Sequence, residues 1–346
     1  MTIRAGIVGA GDIALDRHLP TYRDTSGVTV SGVYDRNPDT LGMAVETHGV
    51  TPVHSLTDLH SISDLIVICT PPWAHHDIAV DALSAGCDVL TEKPLAVTVD
   101  QADNMIATAN DTGQSLSVVN NFLYLDSVQR AKRLIRAGAY GSVMKMHALQ
   151  FRQFDHDSHS PDWFEKLPGG MFWDESPHMM YLLREFLGDL SVESVRTEPR
   201  DGPKQEHNIY ARFTGQADTA GKLVMDFDSP ITEWWLLLFC EEGLLCVDLF
   251  RDVLVQLTKE ADHSASRVLS VLLNTVWQLT AGTVVSGTNR VRERVLHGYR
   301  VPDAGLSRQV ASVIDALEAN QQPPASPIDG RSDLEIMANI VSAGDL

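Results

Sequence analysis

Basic residues are scarce in this chain of 346 residues: 27 Lys and Arg stand against 46 Asp and Glu, and the formal net charge is −19. A protein that binds nucleic acid or an anionic membrane needs a basic face that displaces counterions from the phosphates. The charge balance therefore argues against both classes of partner. Any anionic ligand must be held by a local site.

Lysine is the rarer basic residue, with 7 Lys against 20 Arg, and Asp outnumbers Glu by 31 to 15. This composition is typical of proteins from salt-loving microbes, so we predict a halophilic origin from composition alone. High salt would screen the self-repulsion of such an acidic surface.

Cysteine is also rare. The four cysteines are Cys69, Cys87, Cys240 and Cys246, and no two of them form the Cys-x-x-Cys pair of a redox couple or zinc site. We expect small buried side chains at these positions. The sequence opens without the basic and apolar regions of a secretory signal, so we expect a cytoplasmic protein.

Long uncharged runs are limited to residues 268–289. Ser270, Asn274 and Gln278 recur at every fourth position, so a helix here would carry a polar stripe, and Gly282 interrupts the pattern. We therefore expect no stable membrane insertion. Ordinary core packing is the favoured interpretation, and a subunit contact is the second.

At this length two domains are expected, because single cores stop growing near about 250–300 residues. In the first third, apolar runs of strand length alternate with helical patterns; the runs cover residues 3–8, 28–34, 65–70, 87–91 and 115–119. This alternation predicts an α/β fold with a doubly wound parallel sheet. Ligands of such sheets lie beyond the carboxyl ends of the strands.

The first run leads into Gly9-Ala10-Gly11-Asp12-Ile13-Ala14, which matches Gly-x-Gly-x-x-Gly/Ala. Gly9 permits a tight turn, Gly11 lets the backbone approach a pyrophosphate, and Ala14 lets the helix pack on the strand. The helix N-terminus then faces the anion. By itself the motif is equally compatible with a phosphate-binding loop and with a plain glycine turn.

Asp35 ends the second strand, 24 residues after Gly11. A carboxylate at this position accepts hydrogen bonds from the hydroxyls of an adenosine ribose and repels a 2′-phosphate. Arg36 is either a solvated turn residue or a contact to adenine or to that phosphate. We favour NAD and keep NADP as the alternative.

Glu92-Lys93-Pro94 ends the fourth strand. Pro94 restricts Lys93 to extended conformations, so a strand end can present the lysine rigidly. Taken alone, the triplet is more typical of a surface ion pair and a turn. Its place at the carboxyl edge of the sheet favours a ligand cleft.

Asp174 and His178 are spaced i, i+4 and would share one face of a helix about 6 Å apart, where a carboxylate can tune an imidazole. Pro177 either lies in the first helical turn with Ser176 as the cap or removes one hydrogen bond. For His178 alone, a buried core histidine is the ordinary interpretation.

Four motifs in order resemble the Gfo/Idh/MocA (glucose-fructose oxidoreductase / inositol dehydrogenase) family: the glycine motif, Cys69-Thr70-Pro71-Pro72-Trp73-Ala74-His75, Glu92-Lys93-Pro94, and the run from Gly169 to His178. The resemblance is clear from residue 3 to about residue 190. Three positions depart from the family pattern: Pro72 replaces an Asn, an Arg near Asn121 is missing, and Pro168 replaces a third glycine.

The resemblance implies catalytic roles for three residues: Lys93 contacts the reacting hydroxyl, His178 carries its proton, and Asp174 binds substrate or orients it. It also implies a cis bond before Pro94. The predicted cofactor-binding residues are Gly9, Gly11, Asp12, Ile13, Asp35, Arg36, Thr70, Pro71, His75, Glu92, Lys93 and Asn121.

A polar, proline-bounded loop follows near the predicted cleft, where we expect Arg152, Gln153 or Trp163 to touch substrate. The same loop mixes imidazoles with carboxylates: Asp155, His156, Asp157, His159 and Asp162. Such groups bind divalent ions. A metal site is the minor interpretation, and we predict none.

From residue 191 to residue 258 the runs alternate between apolar and polar residues or are rich in aromatics, which predicts a mostly antiparallel sheet with one open face. We place a Rossmann domain at residues 1–122 and an α+β domain at residues 123–346, with a return of the last helices to the first domain as an open alternative. We expect the open face to form a homodimer or homotetramer.

Together these features predict an NAD(P)-dependent oxidoreductase that transfers a hydride between nicotinamide and a ring hydroxyl or ketone of a sugar, sugar derivative or cyclitol. One alternative is a tightly bound dinucleotide that is recycled between two sugars or during glycoside cleavage. An alternative of another class is a non-catalytic regulatory protein that senses dinucleotides.

Overall fold

The structure, a computed structural model, describes residues 2–153, 162–199, 207–259, 270, 272–280, 282–284 and 304–346. The chain forms two compact units. The first contains Met1–Tyr124 and Glu293–Glu335, and the second contains Leu125–Arg292 and Ile336–Leu346. The first unit is therefore discontinuous in sequence, and it includes a C-terminal helix as well as the expected N-terminal third.

The first unit is built on a five-stranded parallel sheet of order β2-β1-β3-β4-β5. Its strands are β1 (Ile3–Val8), β2 (Val28–Tyr34), β3 (Leu65–Ile68), β4 (Asp88–Thr91) and β5 (Leu116–Val118). All four residues of β3 are buried, as expected for a parallel strand that is covered on both faces. The predicted doubly wound fold is confirmed.

Helices connect these strands. The first begins at Asp12, passes through a π-helical turn, Ala14–His18, and continues as α1 (Leu19–Asp24). The others are α2 (Pro38–His48), α3 (Leu56–Ser61), α4 (His75–Ser84) and α5 (Val99–Thr112), with 3₁₀ turns at Pro72–Ala74 and Asn121–Tyr124. Local sequence fixes their ends. Thr98 and Gln101 form a capping box at the start of α5, and Gly113 ends that helix in the left-handed conformation.

The C-terminal segment closes the β5 edge of this sheet. Two helices follow the second unit in sequence, α9 (Ala304–Glu318) and α10 (Pro327–Gly344). Gln309 of α9 is fully buried; its Nε2 donates to the Val118 carbonyl at 2.7 Å, and its Oε1 accepts from the Asn120 amide at 2.9 Å. The Ser117 hydroxyl also donates to the carbonyls of Pro324 and Ala325. An edge strand that would otherwise expose its polar groups is therefore covered.

The second unit is built on a seven-stranded sheet of order β12-β11-β10-β6-β9-β8-β7, in which only the β6–β9 pair is parallel. Its strands are β6 (Val143–Phe151), β7 (Ser191–Pro199), β8 (His207–Thr214), β9 (Ala220–Asp226), β10 (Glu233–Cys240), β11 (Gly243–Asp248) and β12 (Val253–Thr258). Its helices are α6 (Asp126–Arg136), α7 (Met171–Glu175) and α8 (Pro177–Leu187), with 3₁₀ turns at Asp162–Lys166 and Gln216–Asp218. The predicted mostly antiparallel sheet is confirmed.

The two faces of this sheet differ. Along β10, Trp234, Leu236 and Leu238 are buried, and α8 packs against the sheet over β6 and β9. The alternate residues Trp235 and Leu237 point to the other face and are only half-buried. Period-two alternation of this kind is expected for a strand with one covered face.

The uncharged stretch does not pack into a core where the structure describes it. Residues 272–280 and 282–284 are helical, and Leu273 and Trp277 are 60% and 67% exposed. Gln278 attaches this helix to β12, because its amide accepts from the Gln256 N–H and donates to the Gln256 carbonyl. The favoured interpretation of core packing was therefore wrong. Within the described part of the chain, no helix is long and apolar enough to cross a membrane.

Candidate functional site

The glycine motif forms a tight loop between β1 and the first helix. Gly9 has φ +94°, and a Cβ here would lie 2.8 Å from the carbonyl of Cys69, so only glycine fits. No atom lies within 4 Å of a Cβ built on Gly11. The helix begins at once, because the Leu15 amide donates to the Gly11 carbonyl, and Asp12 and Ile13 lie in its first turn. The loop thus leaves room for an anion at a helix N-terminus.

Asp35 lies at the end of β2, beside this loop. Its Oδ2 accepts from the Ala10 amide at 2.8 Å, and its Oδ1 accepts from the Asn37 amide at 2.7 Å. A carboxylate has about four acceptor positions, so both oxygens can still accept from a ligand hydroxyl. Next to Asp35 is a cavity of about 500 Å³, whose lining includes Arg36, Glu46 and His54. The arrangement fits an adenosine.

The third strand end supplies Thr70 and Pro71. The Thr70 hydroxyl oxygen is buried and has no hydrogen-bond partner in the described structure, whereas Pro71 is exposed. An orphaned buried hydroxyl usually indicates a missing partner. The open space at Gly11 and this hydroxyl are both compatible with a bound dinucleotide.

His75 lies inside the first unit, between two loops at the carboxyl edge of the sheet. Its ring is fully buried, with Nδ1 2.8 Å from the Pro94 carbonyl oxygen and Nε2 2.8 Å from the Thr70 carbonyl oxygen. Burial lowers the pKa of His75, and the two carbonyl acceptors only partly offset this effect. Both ring nitrogens face backbone, so His75 links the Thr70 and Pro94 loops, and its predicted contact with a cofactor stays a prediction.

Lys93 follows the end of β4, and the Lys93–Pro94 peptide is cis, as the family resemblance implied. Lys93 is partly exposed, whereas Glu92 is 8% exposed. His18 donates from Nε2 to Glu92 Oε1 at 2.7 Å, and the Lys93 amide donates to Glu92 Oε2 at 3.2 Å. The Asn121 side chain is buried where β5 ends. The carboxyl edge of the sheet thus gathers the glycine loop, Lys93 and Asn121.

The ionisable groups around Glu92 stabilise each other's charged forms. Burial by itself would lower the pKa of His18, but the Cys69 thiol and the Glu92 carboxylate outweigh it, and the net effect raises the pKa. For Glu92, burial acts to raise the pKa, and hydrogen bonding and charge from His18, with the Lys93 ammonium, lower it overall. The two shifts agree on an ion pair between imidazolium and carboxylate.

Sequence reasoning missed His18. A signal was present, because a histidine one turn after the glycine motif interrupts a run of apolar positions that includes Leu15 and Leu19. A polar ring on the buried side of a helix needs a partner inside the protein.

In the second unit, α7 ends at Glu175 and α8 begins at Pro177. Pro177 therefore occupies the first helical position, which is the first of the two alternatives, and Ser176 precedes it without a side-chain capping bond. His178 and Asp174 are both half-buried. Pro177 thus begins a new helix without removing a bond from the interior of one.

His178 has two described neighbours that the motif did not reveal. Its Nδ1 and the Tyr181 hydroxyl oxygen are 2.8 Å apart, and its ring centroid lies 5.5 Å from that of Trp234. Tyr181 is three residues further along α8, so the two side chains share a helix face. Tyr181 is 2% exposed and fixes the imidazole from its inner side.

The predicted substrate residues are distributed as follows. Arg152 pairs with the Glu175 carboxylate, which also accepts from Gln150 Nε2 at 2.9 Å. Gln153 is exposed. Trp163 lies in the 3₁₀ turn Asp162–Lys166, and its side chain is outside the described part. The structure thus gives Arg152 an internal partner.

Of the loop considered for a metal, Asp155, His156, Asp157 and His159 lie outside the described residues, as does the side chain of Asp162. Across the ranges that the structure does describe, no group of three or more His, Cys, Asp or Glu residues is arranged to hold a metal ion.

Comparison with protein families gives two matches. Residues 3–120 match the oxidoreductase family GFO_IDH_MocA with its NAD-binding Rossmann fold, and residues 128–245 match the GFO/IDH/MocA C-terminal domain. The two matches are consecutive and lie on the two sheets described above.

Similar curated proteins include glucose-6-phosphate 3-dehydrogenase of Bacillus subtilis, 27% identical over 228 residues, which are 64% of this chain and 64% of that enzyme. Inositol 2-dehydrogenase of Ralstonia nicotianae is 28% identical over 205 residues, 58% of this chain and 59% of that enzyme. The chain spans about half to two thirds of the length of the curated relatives it matches.

Among solved structures, the WlbA dehydrogenase of Bordetella pertussis, in complex with NADH and UDP-GlcNAcA, has a TM-score of 0.80 at 19% identity and covers 99% of this chain and 96% of that one. At this identity the likeness concerns the fold alone. The fold therefore extends over both units of the chain.

Proposed function

The chain belongs to the Gfo/Idh/MocA oxidoreductase family, and from this premise we propose that it is an NAD(P)-dependent dehydrogenase or reductase acting on a ring hydroxyl or ketone of a sugar, sugar derivative or cyclitol. The observation that carries the proposal is the corner formed by Glu92, Lys93 and the cis Pro94, on the same sheet edge as the glycine loop. The named activities of the curated relatives support the substrate class.

The residues of the first unit hold the cofactor in this proposal. Gly9 and Gly11 admit the pyrophosphate, Thr70 offers a buried hydroxyl, and Asp35 accepts from the ribose hydroxyls. When bound, the dinucleotide supplies the nicotinamide carbon that accepts or returns a hydride.

Proton handling is assigned to the second unit. In oxidation, His178 accepts the proton of the reacting hydroxyl, and Tyr181, 2.8 Å from His178 Nδ1, holds the imidazole in orientation. Asp174 orients substrate or the histidine. The Lys93 ammonium stabilises the negative charge that develops on the hydroxyl oxygen.

NAD is the favoured dinucleotide. Asp35 and Glu46 place two carboxylates in the lining of the 500 Å³ cavity, against the single guanidinium of Arg36. A 2′-phosphate would meet net negative charge there, whereas a free 2′-hydroxyl finds an acceptor. Arg36 remains the residue through which NADP would be accepted.

The decisive experiment is a panel of polyols, sugars and nucleotide sugars, each tested with NAD and with NADP and followed by the absorbance of the reduced nicotinamide. Turnover of a cyclic polyol or sugar supports the proposal. Tight NADH binding without turnover of any compound would contradict it and favour a sensor. Dinucleotide that co-purifies through gel filtration would favour the recycled-cofactor variant.

The open face of the seven-stranded sheet supports a homodimer or homotetramer. It carries Trp235, Leu237 and Phe239, with Leu149 and Cys246 on the neighbouring strands. Lys145 lies 4.7 Å above the Phe239 ring and adds a cation to this apolar surface. Burying this face against a second copy would remove apolar area from water. Light scattering that gives the mass of a monomer would contradict the assembly.

Cytoplasmic location and adaptation to high salt are further parts of the proposal. All four cysteines are free, which suits a reducing compartment. The net charge of −19 predicts that added salt stabilises the fold by screening repulsion. Equal thermal stability at low and at molar salt would contradict the halophilic assignment.

A further inference from the structure

The helix after the glycine loop contains an unusual turn. Residues Ala14–His18 are π-helical before the chain continues as α1. π turns are uncommon, and many of them lie at functional sites. His18 ends this turn and is fully buried, and Tyr22 stacks on its ring at a centroid distance of 6.2 Å. The turn thus brings a titratable ring to a position where an apolar side chain would be ordinary.

The buried ring connects to the corner of Lys93 through one side chain. His18 holds Glu92 Oε1 at 2.7 Å, and Glu92 Oε2 accepts from the Lys93 amide at 3.2 Å. Cys69 interacts with the same imidazole. A chain of hydrogen bonds therefore runs from the helix of the phosphate loop to the backbone of Lys93.

The backbone on both sides of this connection is fixed. The Cys69 amide donates to the Val8 carbonyl at 2.8 Å, and the Glu92 amide donates to the Ile68 carbonyl at 2.9 Å. Both residues thus continue the pairing of parallel strands. The remaining freedom at Glu92 is the rotamer of its side chain, and His18 selects that rotamer.

The charge of the buried Glu92 carboxylate strengthens the preference for the rotamer that faces His18. A buried carboxylate that loses its partner is costly, so Glu92 needs a cation. The Lys93 ammonium also acts electrostatically on Glu92. Without His18, this ammonium would be the main described cation near the carboxylate, and the carboxylate would turn toward it. Glu92 would then release the Lys93 amide.

We propose that His18 is a positioning residue. It holds the Glu92 side chain and, through Glu92, keeps the backbone of Lys93 in the conformation that catalysis requires. It touches neither substrate nor cofactor in this role. The inference rests on the proposed function for the use of Lys93, but the hydrogen-bonded chain can be tested without any activity.

The first test measures amide hydrogen exchange by mass spectrometry on peptides that cover residues 89–97, in the protein without ligands. We expect His18→Leu to accelerate exchange at the Lys93 amide by about tenfold or more, the usual effect of losing a hydrogen bond to a charged group. His18→Gln keeps a donor toward Glu92 but removes the charge, so exchange at the Lys93 amide should lie between that of the wild type and that of His18→Leu. If the leucine variant does not fold, this milder change carries the test, and exchange at Lys93 equal to that of the wild type would then overturn the proposal.

His60→Leu is the matched control, because His60 is another buried histidine of the first unit whose described partners are Asp81 and Cys87. It should leave exchange at Lys93 unchanged. Equal exchange at Lys93 in the wild type and in His18→Leu would overturn the proposal, as would equal acceleration in the control.

The second test separates turnover from binding. His18→Leu should lower kcat by up to about 10²-fold, the effect of a small misplacement of a reacting group, while NADH affinity measured by fluorescence changes little. A kcat equal to that of the wild type would overturn the positioning role. If the wild type turns over no polyol, the proposed function fails, and the exchange experiment still decides the place of His18.

Discussion

The two regions that carry the candidate catalytic residues are held in different ways. Lys93 follows a strand end, beside a buried ion pair between His18 and Glu92. His178 stands on the first turn of a helix and is held by a neutral phenol and an indole ring. An ion pair thus lies beside Lys93, whereas a hydroxyl and an aromatic ring are described neighbours of His178.

This difference suggests a division of labour. A fixed cation suits a task that needs constant charge, such as stabilising an alkoxide. A proton carrier must change its charge in every cycle, and the Tyr181 hydroxyl can orient the imidazole in either state because it can both donate and accept a hydrogen bond. Variants of the two regions should therefore separate proton transfer from stabilisation of the alkoxide.

The largest effect is expected at His178. His178→Asn should lower kcat by about 10²–10⁴-fold, the usual contribution of a general base, and leave NADH affinity unchanged. Tyr181→Phe is the control that keeps the imidazole and removes only its orienting hydroxyl, so its loss should be smaller. Steady-state kinetics with a substrate from the panel measures both. A larger loss of kcat in Tyr181→Phe than in His178→Asn would contradict the assignment of His178 as the proton carrier.

Replacing Lys93 comes next. Lys93→Met keeps the length of the side chain and removes its charge, and kcat should fall by about 10²–10³-fold, as for other groups that stabilise a developing oxyanion. Lys93→Arg should retain part of the rate, because it retains the cation. Unchanged turnover in the methionine variant would remove Lys93 from the mechanism.

Replacing Asp35 should change the affinity for the dinucleotide and leave kcat largely unchanged. Asp35→Asn removes the charge that accepts from the ribose hydroxyls, so the Kd for NAD should rise by about tenfold to 10²-fold, while that for NADP should fall. Isothermal titration with each dinucleotide measures both. Glu46→Gln changes an acid of the same cavity away from the strand end and should have a smaller effect. Equal losses for the two variants would show that charge alone decides.

The smallest effect concerns stability against pH. The pKa of His18 is raised above its unfolded value of 6.5, so protonated His18 stabilises fully below about pH 6.5 and loses this effect as pH rises toward the folded pKa. The pKa of Glu92 is lowered from 4.5, so its contribution is present above about pH 4.5 and lost in acid. The pair therefore stabilises most between these values.

Chemical denaturation of the wild type and His18→Leu at several pH values measures this window. The difference in unfolding free energy should be largest near pH 6 and shrink toward pH 9, by at most about 1.4 kcal/mol per pH unit because one proton is involved. Cys69 and Tyr22 are the other titratable neighbours of His18, and burial raises the pKa of both. A difference that does not change with pH would show that His18 is neutral in the fold.

Much of the first region could be predicted from the sequence because its signals are local. Gly9, Gly11 and Asp35 lie at fixed offsets from strand ends, and the geometry at Gly9 requires the residue that the motif supplies. The position of Lys93 directly after a strand end was predicted in the same way. Short spacing sets these positions, so no knowledge of distant contacts was needed.

The rest depends on contacts between distant residues. His18 and Glu92 are 74 positions apart, and Gln309 reaches a strand that lies 191 positions earlier. His75 carried a family motif, yet the structure turns its ring toward backbone carbonyls. The polar stripe of Ser270, Asn274 and Gln278 predicted a helix but not its exposure, because Gln278 bonds to the backbone of β12.

The contact of Gln309 with the end of β5 has a consequence for biosynthesis. A ribosome delivers the five strands of the first sheet first, then the whole second sheet, and only afterwards the helix that covers β5. Until then, the nascent sheet exposes an open edge of the kind that pairs with other chains. The helix that completes the first unit is thus made after both sheets, and an uncovered β5 edge during this interval favours aggregation of the nascent chain.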